Sequence, residues 1–216
     1  MFLRAALPAP TRSLRLLFLE GEQMRLSKRK LAFVGAWAII AESSTCPQSG
    51  RNALQRLVET SAQRLIIAEQ VALAKWDMGI PVEDASREAQ LIVHAVTAGQ
   101  ARGLDQQLVS KFFRAQIEAN KLVQYALLAE WRRVGKAPDH RPVDLPNTIR
   151  PELDEVDTLL IAELEESIAI RASAPCRIEI AKAAGRYVST HKKSFAPLKA
   201  IALDRALASV CMDPLR

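Results

Sequence analysis

The sequence predicts an all-α protein, a helical bundle of about six helices, and three observations carry that expectation. Glycine is scarce, at 8 of 216 residues, and no stretch alternates apolar and polar side chains as a half-buried strand would. Several long stretches instead repeat their apolar residues at helical spacing. The longest of them contains neither proline nor glycine and stops at Gly79-Ile80-Pro81, a plain helix terminator.

Residues 1 to 43 read as an export leader. Met24-Arg25-Leu26-Ser27-Lys28-Arg29-Lys30 is basic, Leu31 to Ala41 is an apolar run, and small polar residues follow at Ser43-Ser44-Thr45. That order is the order of a signal peptide. The apolar run falls short of the roughly 20 residues a bilayer span needs. Cleavage is expected after Ala41-Glu42-Ser43, which leaves no membrane segment in the mature chain and places it in the periplasm or outside the cell. A membrane anchor or a buried helix is the competing reading of Leu31 to Ala41. Residues 1 to 23 have no evident task; Glu20-Gly21-Glu22 implies a purine-rich coding stretch just before Met24, so translation from Met24 is expected.

Removing the leader changes what the charge means. The whole chain carries +6, yet residues 1 to 41 hold seven basic and two acidic residues, so the remainder is close to neutral. The sequence pI near 9.5 therefore gives no case for nucleic-acid binding. Arg132-Arg133 and Lys192-Lys193 are read as solvated surface.

The first helix is expected over Asn52 to Met78, with Leu54, Val58, Leu65, Ala72 and Trp76 on one apolar stripe. Arg64 and Lys75 lie about three turns apart and project along one line at the edge of that stripe, beside Leu57, Ser61 and Ala68. After the break, Pro81-Val82-Glu83-Asp84 opens a second helix, since proline suits a first turn and acids favour the helix N-terminus. Asp84, Arg87 and Glu88 share one side of it at i, i+3, i+4, which taken alone fits a surface ion-pair set equally well.

The third helix, Gln106 to Arg133, is expected to bury Leu108, Phe112, Ala119, Val123, Ala126 and Leu127. At about 100° per residue, Asn120 falls inside the apolar arc, with Gln116 and Gln124 on the same side. A buried amide without a partner costs about 1 to 3 kcal/mol, so this face needs neighbouring helices or a polar ligand. Both remain open from this helix alone. A Pro-rich connection from Ala137 to Pro151 leads to a second half with helices at about Glu152 to Ala172, Cys176 to Thr190 and Ala196 to Ser209. Residues 44 to 216 are thus read as one domain, with the site on helices between about 50 and 133 and scaffold from about 150 to 212. His94, His140 and His191 are far apart and read as surface or structural residues.

Together the three helices supply Arg64, Lys75, Arg87, carboxylates and amides toward an apolar interior, which suits a small, polyanionic, partly apolar ligand. The run Arg64-x10-Lys75-x8-Asp84-x2-Arg87-Glu88, followed by Asn120-x3-Gln124, resembles the all-helical chorismate mutases of the AroQ type. Ala72-Leu73-Ala74-Lys75-Trp76, Pro81-Val82-Glu83-Asp84-x2-Arg87 and Gln116-Ile117 are most similar to their gamma, or secreted, subclass. The likeness is strong from Leu57 to Trp131 and looser beyond.

The resemblance implies conversion of chorismate to prephenate with no metal and no cofactor. It implies that Arg64 pairs with a substrate carboxylate and that Lys75 and Gln124 donate to the ether oxygen. Asp84, Arg87, Glu88 and Asn120 would line the rest of the pocket. It also implies an arginine beyond the third helix, for which Arg150 is the candidate and Arg141 the alternative. Some relatives carry Glu where Gln124 stands; Gln donates at any pH, so a flat activity profile is expected. The secreted relatives hold a disulfide near the place of Cys176 and Cys211, and bridging these would close a long loop, worth roughly 4 kcal/mol in the chain-entropy model. Cys46 is left over. A homodimer is implied as well, with each site built inside one chain. An isochorismate pyruvate lyase of the same fold, or a non-catalytic helical binding protein, are the alternatives.

Overall fold

The computed structural model describes residues 48–193 and 195–212. The expected leader with its expected cleavage site, and Cys46, lie outside them. Among the described residues there is no strand, and the helices are α1 (Gln48–Met78), α2 (Ala85–Ala101), α3 (Gln106–Val134), α4 (Arg150–Glu166), α5 (Ile168–Arg171), α6 (Cys176–Thr190) and α7 (Pro197–Leu207). The all-α expectation holds. None of these helices is long and apolar enough to cross a membrane.

α1 is the spine. It packs against α3, α4, α6 and α7, while α2 lies on α3 and α4. Its stripe buries Leu54, Leu57, Val58, Leu65, Ile67 and Ala72, and the facing stripe of α3 buries Val109, Phe112, Phe113, Ala119 and Val123. Burial of such side chains contributes on the order of 1.5 to 3 kcal/mol each. α1 and α3 run in the same direction: Ser61 meets Gln116 near their middles and Trp76 meets Trp131 edge to face near their ends. α2 makes that possible by carrying the chain back. Its return is close, because a Cβ on Gly99 would stand 2.8 Å from Val109 Cγ2. α3 ends at Gly135, whose φ of +85° gives the left-handed cap that glycine adopts without strain.

Several expectations need correction. Pro81 to Asp84 does not form the first turn of α2: the helix begins at Ala85, and Asp84 caps it by accepting a hydrogen bond from the Arg87 amide at 3.1 Å. Leu108, Ala126 and Leu127 of α3 and Trp76 of α1 are only partly buried, because the α3 seam is rotated toward Val109, Phe113 and Leu128. The connection after α3 is shorter than read, since Leu145–Ile149 forms a π-helical turn that runs directly into α4 at Arg150. The fourth helix is split at Ser167, whose hydroxyl donates to the Glu163 carbonyl at 2.6 Å and competes with the helical ladder. That split yields seven helices among the described residues where about six were expected.

The second half is closed by two devices. Cys176 at the start of α6 is disulfide-bonded to Cys211 beyond α7, with Cα atoms 5.8 Å apart. Beside it, fully buried Arg171 donates to the carbonyls of Leu164 at 2.6 Å and Val210 at 2.9 Å. The Arg171 carbonyl in turn accepts from the Met212 amide at 3.0 Å. The segment after α7 is thereby fastened to the end of α4.

Candidate active site

A cavity of about 660 Å³, its mouth included, opens between α1, α2, α3 and the start of α4. Its apolar floor comes from Val71, Val82, Leu91, Ile117, Leu145 and Leu153. All eight residues singled out from the sequence line it: Arg64, Lys75, Asp84, Arg87, Glu88, Asn120, Gln124 and Arg150. Arg141, the alternative to Arg150, is exposed and not part of the lining.

α1 contributes the two deepest cations. The Arg64 side chain is 3% exposed; its Nε donates to Asp157 Oδ1 at 2.8 Å and its Nη1 to the Gln116 carbonyl at 3.2 Å. Lys75, in the last turn of α1, is also buried and donates to the Val82 carbonyl of the α1–α2 connection. An ammonium has three donors, so this bond aims the group without exhausting it. Burial draws the Lys75 pKa below the ordinary lysine range. Asp84, Glu88 and Glu83 oppose that shift, and Arg150 adds to it.

α2 presents its N-terminus. Asp84, as the cap, lies 3.7 Å from Arg150 through its second oxygen. Glu88 reaches back toward the Asp84 amide at 3.5 Å and accepts from Lys121 at 3.3 Å. Arg87 is turned toward α4, where Nη2 meets Asp154 Oδ1 at 2.7 Å.

The three amides of α3 divide between two tasks. Gln116 belongs to the packing: its amide donates to Ser61 Oγ at 3.0 Å and to the Ala206 carbonyl at 3.4 Å. Asn120 and Gln124 belong to the cavity. Asn120 donates to the Arg64 carbonyl at 3.2 Å, and Gln124 Nε2 donates to Asn120 Oδ1 at 2.6 Å. The remaining Gln124 oxygen is buried without a partner among the described residues. A polar atom left in that state is costly, and a ligand or water at this spot would relieve it.

Three residues were missed by the sequence reading. Lys121 lines the cavity between Glu88 and Glu118, the latter at 2.8 Å, and the hydrogen bond to Glu118 holds its ammonium pKa above the usual value. Asp154 and Asp157, in a helix read as scaffold, anchor Arg87 and Arg64. A signal existed for Asp157: it stands beside Val156 and one turn before Leu160 and Ile161, where an unpaired carboxylate would be out of place. Of the histidines, His140 pairs with Asp77 at 2.9 Å and His191 stacks on Tyr187, both away from the cavity.

Five cations and two carboxylates line the cavity, an excess of positive charge facing apolar walls. Fold and cavity define the class: an all-helical protein built to take a small polyanion. A sequence profile described as chorismate mutase type II matches residues 55–125. A secreted chorismate mutase of Mycolicibacterium smegmatis is 30% identical over 156 residues, covering 72% of this chain and 84% of that protein. One from Mycobacterium tuberculosis is 26% identical over 134 residues, 62% of this chain and 67% of that one. The crystal structure of chorismate mutase from Burkholderia phymatum superimposes with a TM-score of 0.72 at 40% identity, over 76% of this chain and 99% of that one. The chain belongs to the chorismate mutase family, and the resemblance to the secreted AroQ-type enzymes read from its polar spacings is borne out.

Proposed function

We propose that the cavity rearranges chorismate to prephenate, with Arg64, Lys75 and Gln124 as the catalytic residues. One observation carries this: the seven polar residues picked out by their spacing, and Arg150, which the resemblance added, line a single cavity with excess positive charge. The substrate has two carboxylates, and its reactive conformer is compact. Arg64 takes one carboxylate through Nη2, the nitrogen that has no protein partner among the described residues. Arg87 and Arg150 flank the other. Holding both ends in place converts a floppy molecule into a near-attack conformer.

Negative charge grows on the ether oxygen as its C–O bond breaks. Lys75 and Gln124 donate to that oxygen from fixed positions in a cavity with an apolar floor, where such donors act most strongly. Asp84, Glu88 and Asn120 line the side that takes the hydroxyl group. The step is an intramolecular electron reorganisation, so no side chain has to move a proton. Enzymes at the modest end of rate enhancement lower their barriers by roughly 8 kcal/mol, and a carboxylate clamp with two preorganised donors is on that scale.

The test is the loss of chorismate absorbance with purified protein, the product identified as prephenate, with Lys75→Ala as control. Turnover that disappears in the control supports both activity and site. Formation of salicylate and pyruvate from isochorismate, without prephenate from chorismate, would replace this reading with the lyase. The protein is further proposed to be exported, with residues 1–43 removed, and to act in the periplasm or outside the cell as a homodimer. Relatives described as secreted support the export. Mass spectrometry of protein recovered from the periplasm or medium should find Ser44 at its N-terminus, and a chain retained in the membrane with its leader would contradict it. Sedimentation should give twice the mass of the mature chain.

A further inference from the structure

The helix that opens the second half, α4, supplies Arg150 to the cavity and also touches two cations of the anion clamp that come from other helices. Arg64 comes from α1 and Arg87 from α2, and each meets a carboxylate of α4: Asp157 at 2.8 Å and Asp154 at 2.7 Å. The two acids are spaced i, i+3, so they sit on one side of α4 about 4.5 Å apart along its axis. We propose that α4 positions the carboxylate clamp, with Asp157 as the positioning residue for Arg64 and Asp154 as that for Arg87. This rests on the reading of the cavity as the chorismate site.

The geometry at Arg64 is the stronger half of the case. Nε is held by α4 and Nη1 by the Gln116 carbonyl of α3, so two of the three guanidinium nitrogens are fixed by two different helices. Rotation about the last side-chain bonds is thereby stopped, and Nη2 is left for the ligand. A guanidinium fixed before binding loses less freedom on binding. Stability is a poor account of the same pair. A buried ion pair often does no better than well-packed apolar residues of equal volume, because both charges must first leave water. Asp157 also leaves Oδ2 buried with no partner among the described residues, a further cost to the fold.

Charge gives the decisive contrast. A negative residue behind the cavity repels a dianion, so if Asp157 acted through its field alone, its loss would tighten binding. Positioning predicts the opposite. The Asp154 pair is more open, with side chains 28% and 60% exposed, so solvent screens it and its effect should be smaller.

The experiment compares Asp157→Ala, Asp157→Asn and Asp154→Ala in the full-length protein. It measures kcat, KM and calorimetric binding of a bicyclic ether dicarboxylate shaped like the transition state. Asp157→Ala should lower kcat by about 10²-fold, the scale of a misplaced clamp. Asp157→Asn keeps the shape but turns a charge-assisted bond into a neutral one, so a loss of about tenfold is expected. Asp154→Ala should raise KM by a few-fold with kcat little changed. In each case one dicarboxylate should bind per chain, more weakly than in the unaltered protein. A purely structural role would instead lower the number of sites and leave their affinity intact. That outcome, tighter binding in Asp157→Asn, or unaltered kcat and affinity in Asp157→Asn would overturn the proposal. Should Asp157→Ala not fold, the Asn variant decides. Absence of chorismate turnover in the unaltered protein would overturn the functional reading instead.

Discussion

Lys75 and Arg171 are both buried cations, one in each half of the molecule, and their surroundings differ in kind. Lys75 lies on a cavity wall, with one bond to a backbone carbonyl and the carboxylates of Asp84, Glu88 and Glu83 near enough to raise its pKa against the effect of burial. Arg171 has no acid beside it among the described residues. It is fully enclosed, bonded only to main-chain carbonyls, and burial pulls its pKa down to about 10, still far above neutrality. The first arrangement leaves donors facing a cavity, whereas the second fastens the segment after α7 to the end of α4. Burial of a charge therefore does not mark a site by itself, and neither does a spare donor, since Arg171 Nη2 is buried without a partner among the described residues; an adjoining cavity does.

The sharpest way to break this comparison is to remove both cations. Lys75→Ala should cost about 10² to 10³ in kcat, the usual effect of deleting one preorganised donor, with little change in melting temperature. Arg171→Leu should do the reverse. It strips the carbonyls of Leu164 and Val210 of their donor, at about 1 to 3 kcal/mol for each buried group left unsatisfied, so the melting temperature should fall by several degrees. Its kcat per folded molecule should stay at the unaltered value. Loss of kcat without loss of stability in Arg171→Leu would erase the distinction.

Two pH experiments sharpen it. Gln124 donates in any protonation state, so activity should be flat from weakly acidic to weakly alkaline pH. It should then fall as Lys75 loses its proton, earlier than an ordinary lysine would, because burial lowers its pKa. Gln124→Glu should confine activity to acidic pH, since only the protonated carboxyl can donate. An acid optimum already present in the unaltered protein would count against the assigned role.

Glu163 titrates stability rather than rate. It is buried on α4, takes one bond from Thr60 at 2.9 Å, and burial raises its pKa from 4.5 to about 7. A carboxyl that is harder to ionise in the folded state favours folding when protonated. Its contribution is complete below about pH 4.5 and is lost as pH rises through about 7. Glu163→Gln should therefore match the unaltered protein at pH 4 and exceed it by roughly 2 to 3 kcal/mol at pH 8, in urea denaturation at both pH values.

The long helices and the cavity residues were legible because each shows itself within its own segment. Arg64 and Lys75 declare themselves by a spacing of whole turns on α1, and Asn120 and Gln124 by lying in the apolar arc of α3. What stayed hidden depends on contacts between segments. Gln116 shares a face with Asn120 and Gln124, but only its depth against Ser61 and Ala206 sends it into the packing. Lys121 is unremarkable until Glu88 arrives from α2. Asp157 needs Arg64 from 93 residues away to explain it. Asp84 was assigned to a first turn because proline upstream suits that place, whereas its side chain closes the helix as a cap.

The cavity draws all of its described walls from α1 to α4 of one polypeptide. Mass action then bears on it differently from a site shared between subunits. On dilution by orders of magnitude, any associated subunits would separate but a one-chain cavity would keep its full set of donors. Specific activity should consequently stay constant on serial dilution, even across the concentration at which a dimer comes apart.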